Sequence, residues 1–123
     1  MHYYGIAALL VTLLPTLARA QAALPNVYPP PEFDKPYEGY LILKRPATEE
    51  EVKQHCKFPV PHYIGCASRV WDGKVCAVFI VADEVLAKYG LKLEGVLRHE
   101  LGHCHGWPKH HPGAITVWDN AER

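Results

Sequence analysis

The feature that most constrains this 123-residue chain is the pentapeptide His99-Glu100-Leu101-Gly102-His103. On an α-helix, four residues advance about 400° and roughly 6 Å, so both imidazoles project from one face. Neutral imidazole is a good zinc ligand, and two on one helix supply half of a tetrahedral site. Glu100 lies about 100° around the helix from His99, where a general base can take a proton from a zinc-bound water. The pattern therefore predicts His99 and His103 as zinc ligands and Glu100 as the catalytic residue.

The flanking residues indicate a helix that ends soon after His103. Apolar side chains recur at spacings of three and four, at Leu93, Val96, Leu97, Leu101 and Cys104. Gly106 can adopt the left-handed conformation that ends a helix, and Pro108 prevents the helix from resuming. The chain must then turn back toward the face that carries the two histidines.

The third ligand has to come from residues beyond this turn. His110 and His111 follow it closely, and Asp119 and Glu122 are the only later carboxylates. A fourth protein ligand, His110 or Asp119, would close the site and favour a structural metal, because structural zinc sites are usually four-coordinated by the protein.

The segment resembles the zincin metallopeptidases, and at first sight their metzincin branch, which carries His-Glu-x-x-His-x-x-Gly-x-x-His. Gly106 matches, but the third histidine position falls on Lys109, and Met1 is the only methionine, so the Met-containing turn of that branch is absent. The segment looks closer to small uncharacterised secreted proteins with His-Glu-Leu-Gly-His-Cys-x-Gly-Trp-Pro-x-x-His, whose last histidine aligns with His111. The resemblance is strong over residues 94–113. It implies zincin-type chemistry and His111 as the third metal ligand.

The first twenty residues have the pattern of an export signal. An apolar run from Ile6 to Leu17 precedes Ala18-Arg19-Ala20, which is typical of a cleavage site. The run is too short for a membrane span, which takes about 20 residues. We therefore expect a signal peptide at 1–20, a secreted or periplasmic mature protein, and no stable membrane anchor after cleavage.

Four cysteines, Cys56, Cys66, Cys76 and Cys104, lie in the expected mature chain. An even number in a short exported chain indicates two disulfides, and three pairings are possible. Cys66 and Cys76 flank a turn signal at residues 71–74, so they could bridge adjacent strands. We favour that pair, which leaves Cys56 with Cys104.

Residues 21–37 form a proline-rich N-terminal arm, with prolines at 25, 29, 30, 31 and 36. This composition favours an extended, solvated chain. The alternative is an arm that lies across the cleft as an autoinhibitory segment.

The remaining segments predict one small domain of the α+β class. Apolar runs predict strands at 40–43, 63–67 and 74–81, the last two joined by a turn at Asp72-Gly73. Thr48 and Glu51 form a capping box before a helix at 49–56, and Asp83 can cap a helix at 84–89. We expect residues 38–123 to form a zincin-like metal-binding domain, in which a short hairpin or sheet packs on the active-site helix and disulfides cross-link the two.

Together these signals predict a secreted or periplasmic zinc-dependent hydrolase, with a metallopeptidase as the leading candidate. The cofactor would be Zn²⁺ and the substrate a peptide or protein. The formal net charge is zero, which gives no indication of a nucleic-acid partner, and we expect a monomer. Arg98, Tyr63 and His105 could stabilise an oxyanion, or could be surface residues.

Two alternatives from other classes remain open at this point. One is a non-catalytic exported module with a structural metal site. The other is a toxin-like or inhibitor domain in which the disulfides matter more than any metal. The first predicts that Glu100→Gln changes nothing, and the second predicts indifference to chelators.

Overall fold

A computed structural model describes residues 23–118, which form three helices and two β-sheets. The strands are β1 (Asn26–Tyr28), β2 (Tyr40–Lys44), β3 (Gly65–Val70), β4 (Val75–Ile80) and β5 (Ile115–Val117). The helices are α1 (Glu49–His55), α2 (Asp83–Lys88) and α3 (Leu93–Cys104). This is the mixed α+β class that the sequence predicts. The expected signal peptide and the candidate ligands Asp119 and Glu122 lie outside the described residues.

β4 is the central strand of the larger sheet. It pairs with β2 in parallel and with β3 in antiparallel orientation, in the order β2-β4-β3. Its alternate residues Cys76, Val78 and Ile80 are fully buried, as expected for the most apolar run of the chain. β3 is therefore an edge strand, because its second edge pairs with no strand of the described chain.

The two short helices begin close to the predicted positions. Thr48 caps α1, since its hydroxyl accepts a hydrogen bond from the amide of Glu51 at 3.2 Å. Asp83 does not cap α2 as predicted, because Ala82 occupies the cap position and Asp83 is the first helical residue. The Asp83 carboxylate instead forms an ion pair with Arg45.

α3 ends as its glycine predicts. Gly106 has a φ of +95°, the left-handed region that a residue without a Cβ adopts at low cost. The amide of Gly106 donates to the carbonyl of His103 and that of Trp107 to the carbonyl of Gly102, both at 3.0 Å. This pair of bonds is the Schellman closure of a helix C-terminus. The loop that follows can therefore return beside α3.

The proline-rich arm is not the solvated segment that its composition predicts. β1 pairs antiparallel with β5, and Asn26 and Pro29 are buried. Two helix glycines make room for them: a Cβ at Gly102 would lie 2.8 Å from the Cβ of Pro29, and one at Gly95 would overlap the side-chain oxygen of Asn26. The arm therefore approaches α3 more closely than any side chain at these positions would allow.

The disulfide pairing favoured from the sequence is wrong. The bonds join Cys56 to Cys66 and Cys76 to Cys104. In the hairpin, Cys66 faces Phe79, three positions beyond Cys76, which corresponds to about 10 Å along the strand. A disulfide cannot span that distance. Cys76 lies on the buried face of β4 and meets Cys104 at the end of α3.

Two structural features bear on the location of the protein. Disulfides persist mainly in oxidising compartments outside the cytosol, so the two bonds are consistent with an extracellular protein. Within residues 23–118, no helix has both the length and the apolar composition needed to cross a bilayer.

Candidate metal centre

Three histidine side chains converge beside the C-terminal half of α3. The Nε2 atom of His103 lies 3.3 Å from that of His99 and 3.1 Å from that of His111, and the third side of the triangle is 3.1 Å. Two ligands bound at 2.0–2.1 Å to a tetrahedral ion are about 3.3 Å apart. The triangle therefore has the size that a tetrahedral ion requires, and this group could hold a metal ion.

The second nitrogen of two of these rings is fixed by a backbone carbonyl. The Nδ1–H of His99 donates to the carbonyl of Val27 at 2.6 Å, and that of His103 to the carbonyl of Trp107 at 2.7 Å. A neutral imidazole has one N–H, so the Nε2 of each ring presents a lone pair. Facing lone pairs repel unless a cation lies between them. Fixing Nδ1 in this way is how proteins orient histidine ligands toward a metal.

Burial favours the neutral state of all three rings. It lowers the pKa of His99 to about 4, against the opposing effect of the hydrogen bond to Val27. Burial is also the main cause that lowers the pKa of His103 and of His111. The neutral imidazole is the form that binds a metal ion.

Trp107 packs among the three rings and is only 2% exposed. Its ring stacks on that of His103, with centroids 4.9 Å apart, and meets the rings of His99 and His111 edge-on at 5.2 and 4.8 Å. Its indole N–H donates to the carbonyl of Pro112 at 2.9 Å. Trp107 thus fixes the rings of the cluster and also the loop that carries His111.

His111 reaches the cluster through an unusual backbone conformation. Its φ is +60°, a region that costs a non-glycine residue of the order of 1–3 kcal/mol. Its amide donates to the carbonyl of Pro108 at 2.9 Å, which closes the turn. Of the two histidines that follow α3, His111 therefore joins the cluster, and His110 is exposed and does not.

Glu100 is a buried carboxyl group, 4% exposed, in the same cleft as the histidines. Its Oε2 has no hydrogen-bond partner within residues 23–118, and its Oε1 lies 3.3 Å from the position of a Cβ at Gly65. Burial raises the pKa of Glu100 to about 8, and a cation nearby would oppose that shift. A buried polar atom without a partner is costly and is common at functional sites.

The cleft over α3 has a volume of about 740 Å³. α3 forms its floor, β3 forms one wall, and residues 24–27 of the arm with the loop 107–111 form the other. At the end beside the first turns of α3 the lining is apolar, with Leu24, Ile64, Leu91 and Val96. The cleft thus combines a possible metal site, a buried acid and an apolar recess.

The candidates for oxyanion stabilisation do not line this cleft. Arg98 forms a bidentate ion pair with Asp34 at 2.6 and 2.8 Å, and His105 contacts the backbone carbonyls of Lys35 and Pro36. Tyr63 is also absent from the cleft lining. All three are surface or supporting residues in this fold.

Sequence reasoning missed two groups that orient the candidate ligands. The carbonyl of Val27 leaves no signal in the sequence, because any residue supplies one. Trp107 could have been found, since a large aromatic side chain directly after the helix-ending glycine can pack back onto the last turn.

Comparisons with protein-family models, with curated proteins and with solved structures found no match for this chain.

Proposed function

We propose that this protein is a zinc-dependent hydrolase that acts on peptides. His99, His103 and His111 would hold the zinc, and Glu100 would act as the general base. One observation carries the proposal: the three Nε2 atoms form a triangle of ligand size in the same cleft as a buried, partnerless carboxyl oxygen.

The ligand set supports zinc in a catalytic site. Three imidazoles in tetrahedral spacing suit zinc. In the part of the chain that the structure describes, no fourth histidine, cysteine or carboxylate joins the group. Structural zinc sites usually have four protein ligands and catalytic ones three, with the last position left for water or substrate.

The chain's own residues would carry the proton transfers. When bound, zinc would lower the pKa of a water molecule toward about 7 and polarise the carbonyl under attack. Glu100 would accept the proton of that water and later return it to the leaving amine. The apolar surroundings that raise its pKa keep bulk water away from this carboxyl group, which makes a proton held there available for transfer.

A peptide in extended form suits the shape of the cleft. β3 is an edge strand, and residues 65–69 lie along one wall. Strand addition to such an edge gives affinity through main-chain hydrogen bonds, without requiring a particular side chain. The apolar recess of Leu24, Ile64, Leu91 and Val96 would then receive one apolar side chain of the substrate.

The experiment compares the zinc-loaded wild type with Glu100→Gln on a library of internally quenched peptides, with zinc content measured for both. We expect the wild type to hydrolyse a subset of peptides, and the variant to lose at least 100-fold in kcat while it keeps one zinc per chain. His111→Ala should lose the zinc, and the matched neighbour variant His110→Ala should keep both zinc and activity.

The structural-metal alternative gives a different result. It predicts bound zinc, no hydrolysis by any variant, and equal stability of the wild type and Glu100→Gln. Asp119→Asn completes the test, because a lower zinc affinity in that variant would identify a fourth ligand and count against catalysis. No zinc in a folded wild type supplied with the metal would overturn both proposals.

A further inference from the structure

Arg69 lies at the end of the cleft that is opposite to Glu100. Its guanidinium packs against Gly106, where a Cβ would be 3.1 Å from its Nη1 atom. Gly106 therefore ends α3 and also leaves room for this side chain beside the loop of the third histidine. Arg69 lines the cleft, so its charge lies at the edge of the space that a substrate would occupy.

The other arginines within residues 23–118 have carboxylate partners. Arg45 pairs with Asp83 and Arg98 pairs with Asp34. The guanidinium of Arg69 makes no hydrogen bond or ion pair with any described residue. Arg69 is therefore the one arginine of the described residues whose guanidinium is available to bind a carboxylate of a substrate.

The described lining of the cleft contains one carboxyl group and, besides Arg69, one lysine. Lys109 also lines the cleft, with its Nζ 5.8 Å from the ring centroid of Phe58. Glu100 is the only carboxyl group among the described residues of the lining. It is buried beside Gly65, at the far end of β3 from Arg69. No carboxyl group of the described lining therefore lies beside Arg69.

The position of Glu100 sets the direction in which a substrate would lie. The leaving amine needs its proton from Glu100, so the amine half of the peptide would lie toward Gly65. The acyl half would then extend toward Arg69, antiparallel to β3. Gly65 and Arg69 are four strand steps apart, about 13 Å. With the amine residue opposite Gly65, Arg69 would thus face the fourth residue before the bond that is cut, and its long side chain could reach the third.

We propose that Arg69 selects peptides that carry an acidic side chain three or four residues on the amino side of the scissile bond. The inference rests on the proposed peptide hydrolysis and adds the class of substrate. Arginine suits this role because its planar fork binds a carboxylate through two parallel hydrogen bonds.

The test uses paired peptides with amidated C-termini that differ only as Glu and Gln, or Asp and Asn, at each of the four residues before the cut. We expect the wild type to prefer the acidic member about tenfold in kcat/KM at low salt, as for a charge-assisted hydrogen bond that is partly exposed. Arg69→Gln should reduce the ratio to about one, and Arg69→Lys should retain part of it. Lys88→Gln, which removes the same charge outside the cleft, should behave as the wild type.

A charge reversal sharpens the test, since Arg69→Glu should prefer peptides with Lys at the same position. Equal cleavage of acidic and neutral peptides by the wild type would overturn the inference and leave the hydrolase proposal intact. A preference for a free C-terminal carboxylate over the acidic side chain would also overturn it, since the substrate would then run in the opposite direction.

Failure of the hydrolase proposal would give a separate result, namely no cleavage of any peptide by the zinc-loaded protein. Binding of the acidic peptides, followed by fluorescence anisotropy with wild type and Arg69→Gln, would still test the inference. Equal affinity in the two proteins would overturn the role of Arg69, and about tenfold weaker binding in the variant would support it.

Discussion

The two walls of the cleft are held in place by different interactions. β3 bonds to β4 along all six of its residues, and the Cys56–Cys66 disulfide fixes its beginning. β1 has three residues and pairs only with the three residues of β5. The arm that carries β1 packs against the glycines of α3. The hairpin wall is thus stabilised locally and covalently, and the arm wall by contacts between distant parts of the chain.

The arm wall is also the one connected to the ligands. Its Val27 carbonyl orients His99, and the loop of His111 leads into β5, its strand partner. A metal held by the three histidines would therefore stabilise this wall directly and the hairpin wall only weakly. The difference indicates which part of the cleft should respond to metal.

Removing the proposed zinc should have the largest effect. We expect a chelator to lower the free energy of unfolding by about 4 kcal/mol, relative to protein with free zinc at 1,000 times its dissociation constant. Hydrogen exchange should increase in residues 24–30 and 107–117 and change little in 65–80. Equal increases of hydrogen exchange in both walls would contradict a selective effect of the metal on the arm wall. His111→Ala without chelator should show the same increase in the arm wall alone.

Breaking the Cys76–Cys104 bond should come next. The loop-entropy relation gives about 3.6 kcal/mol for its separation of 28 residues and about 2.7 kcal/mol for the separation of 10 at Cys56–Cys66. We expect the double alanine variant of the first pair to unfold at lower denaturant than that of the second. If the variant without Cys56–Cys66 unfolds at the lower urea concentration, the hairpin wall depends on its own disulfide more than the loop-entropy relation predicts.

Gly102→Ala should have a smaller effect, concentrated in the arm. Alanine improves helix propensity by about 1 kcal/mol, but its Cβ would lie 2.8 Å from the Cβ of Pro29, and overpacking of this kind costs about 1–3 kcal/mol. We expect a net loss of about 1 kcal/mol and weaker zinc binding. Gly95→Ala is the matched control, since its clash is with the rotatable side chain of Asn26, and it should lose less. A more stable Gly102→Ala would show that the arm is not closely packed.

The smallest effect should come from Asp34→Asn on the outside of the arm. The hydrogen bonds from Arg98 hold the pKa of Asp34 below its ordinary value. The wild type should therefore be more stable than the variant above about pH 4, and lose that advantage as the pH falls through the lowered pKa. Because the two side chains are 25% and 48% exposed, we expect about 0.5 kcal/mol at neutral pH. Thermal melts of both proteins between pH 2 and 7 measure this difference in stability. A difference that does not change with pH would contradict the lowered pKa of Asp34.

The parts that the sequence predicts correctly have short-range signals. α3, its glycine end and the return of His111 follow from residues within a few positions of one another. The α1 cap and the second hairpin strand do so as well, whereas the first hairpin strand lies at 65–70 instead of the predicted 63–67. Such features depend on backbone conformations that a few neighbouring residues determine.

The parts that it misses depend on contacts between distant residues. The proline content of the arm suppresses any strand prediction, although Asn26 and Pro29 pack on α3. The one available signal is the pair Gly95 and Gly102, since glycine inside a helix is unfavourable and indicates a close neighbour. The disulfide prediction is wrong for a simpler reason. The strand register separates Cys66 from Cys76, and this register is known only from the full pairing of β3 with β4.

The β1–β5 ladder joins the first and last strands of the described chain. Forming it closes nearly all of the described residues into a single loop, and contacts so distant in sequence are slow for a folding polypeptide to make. The three histidines of the candidate site are near neighbours in sequence, but the carbonyl that fixes His99 is 72 residues away. The oriented triad can therefore form only after the arm has packed on α3, so we expect capture of the proposed ion to be one of the last events in maturation.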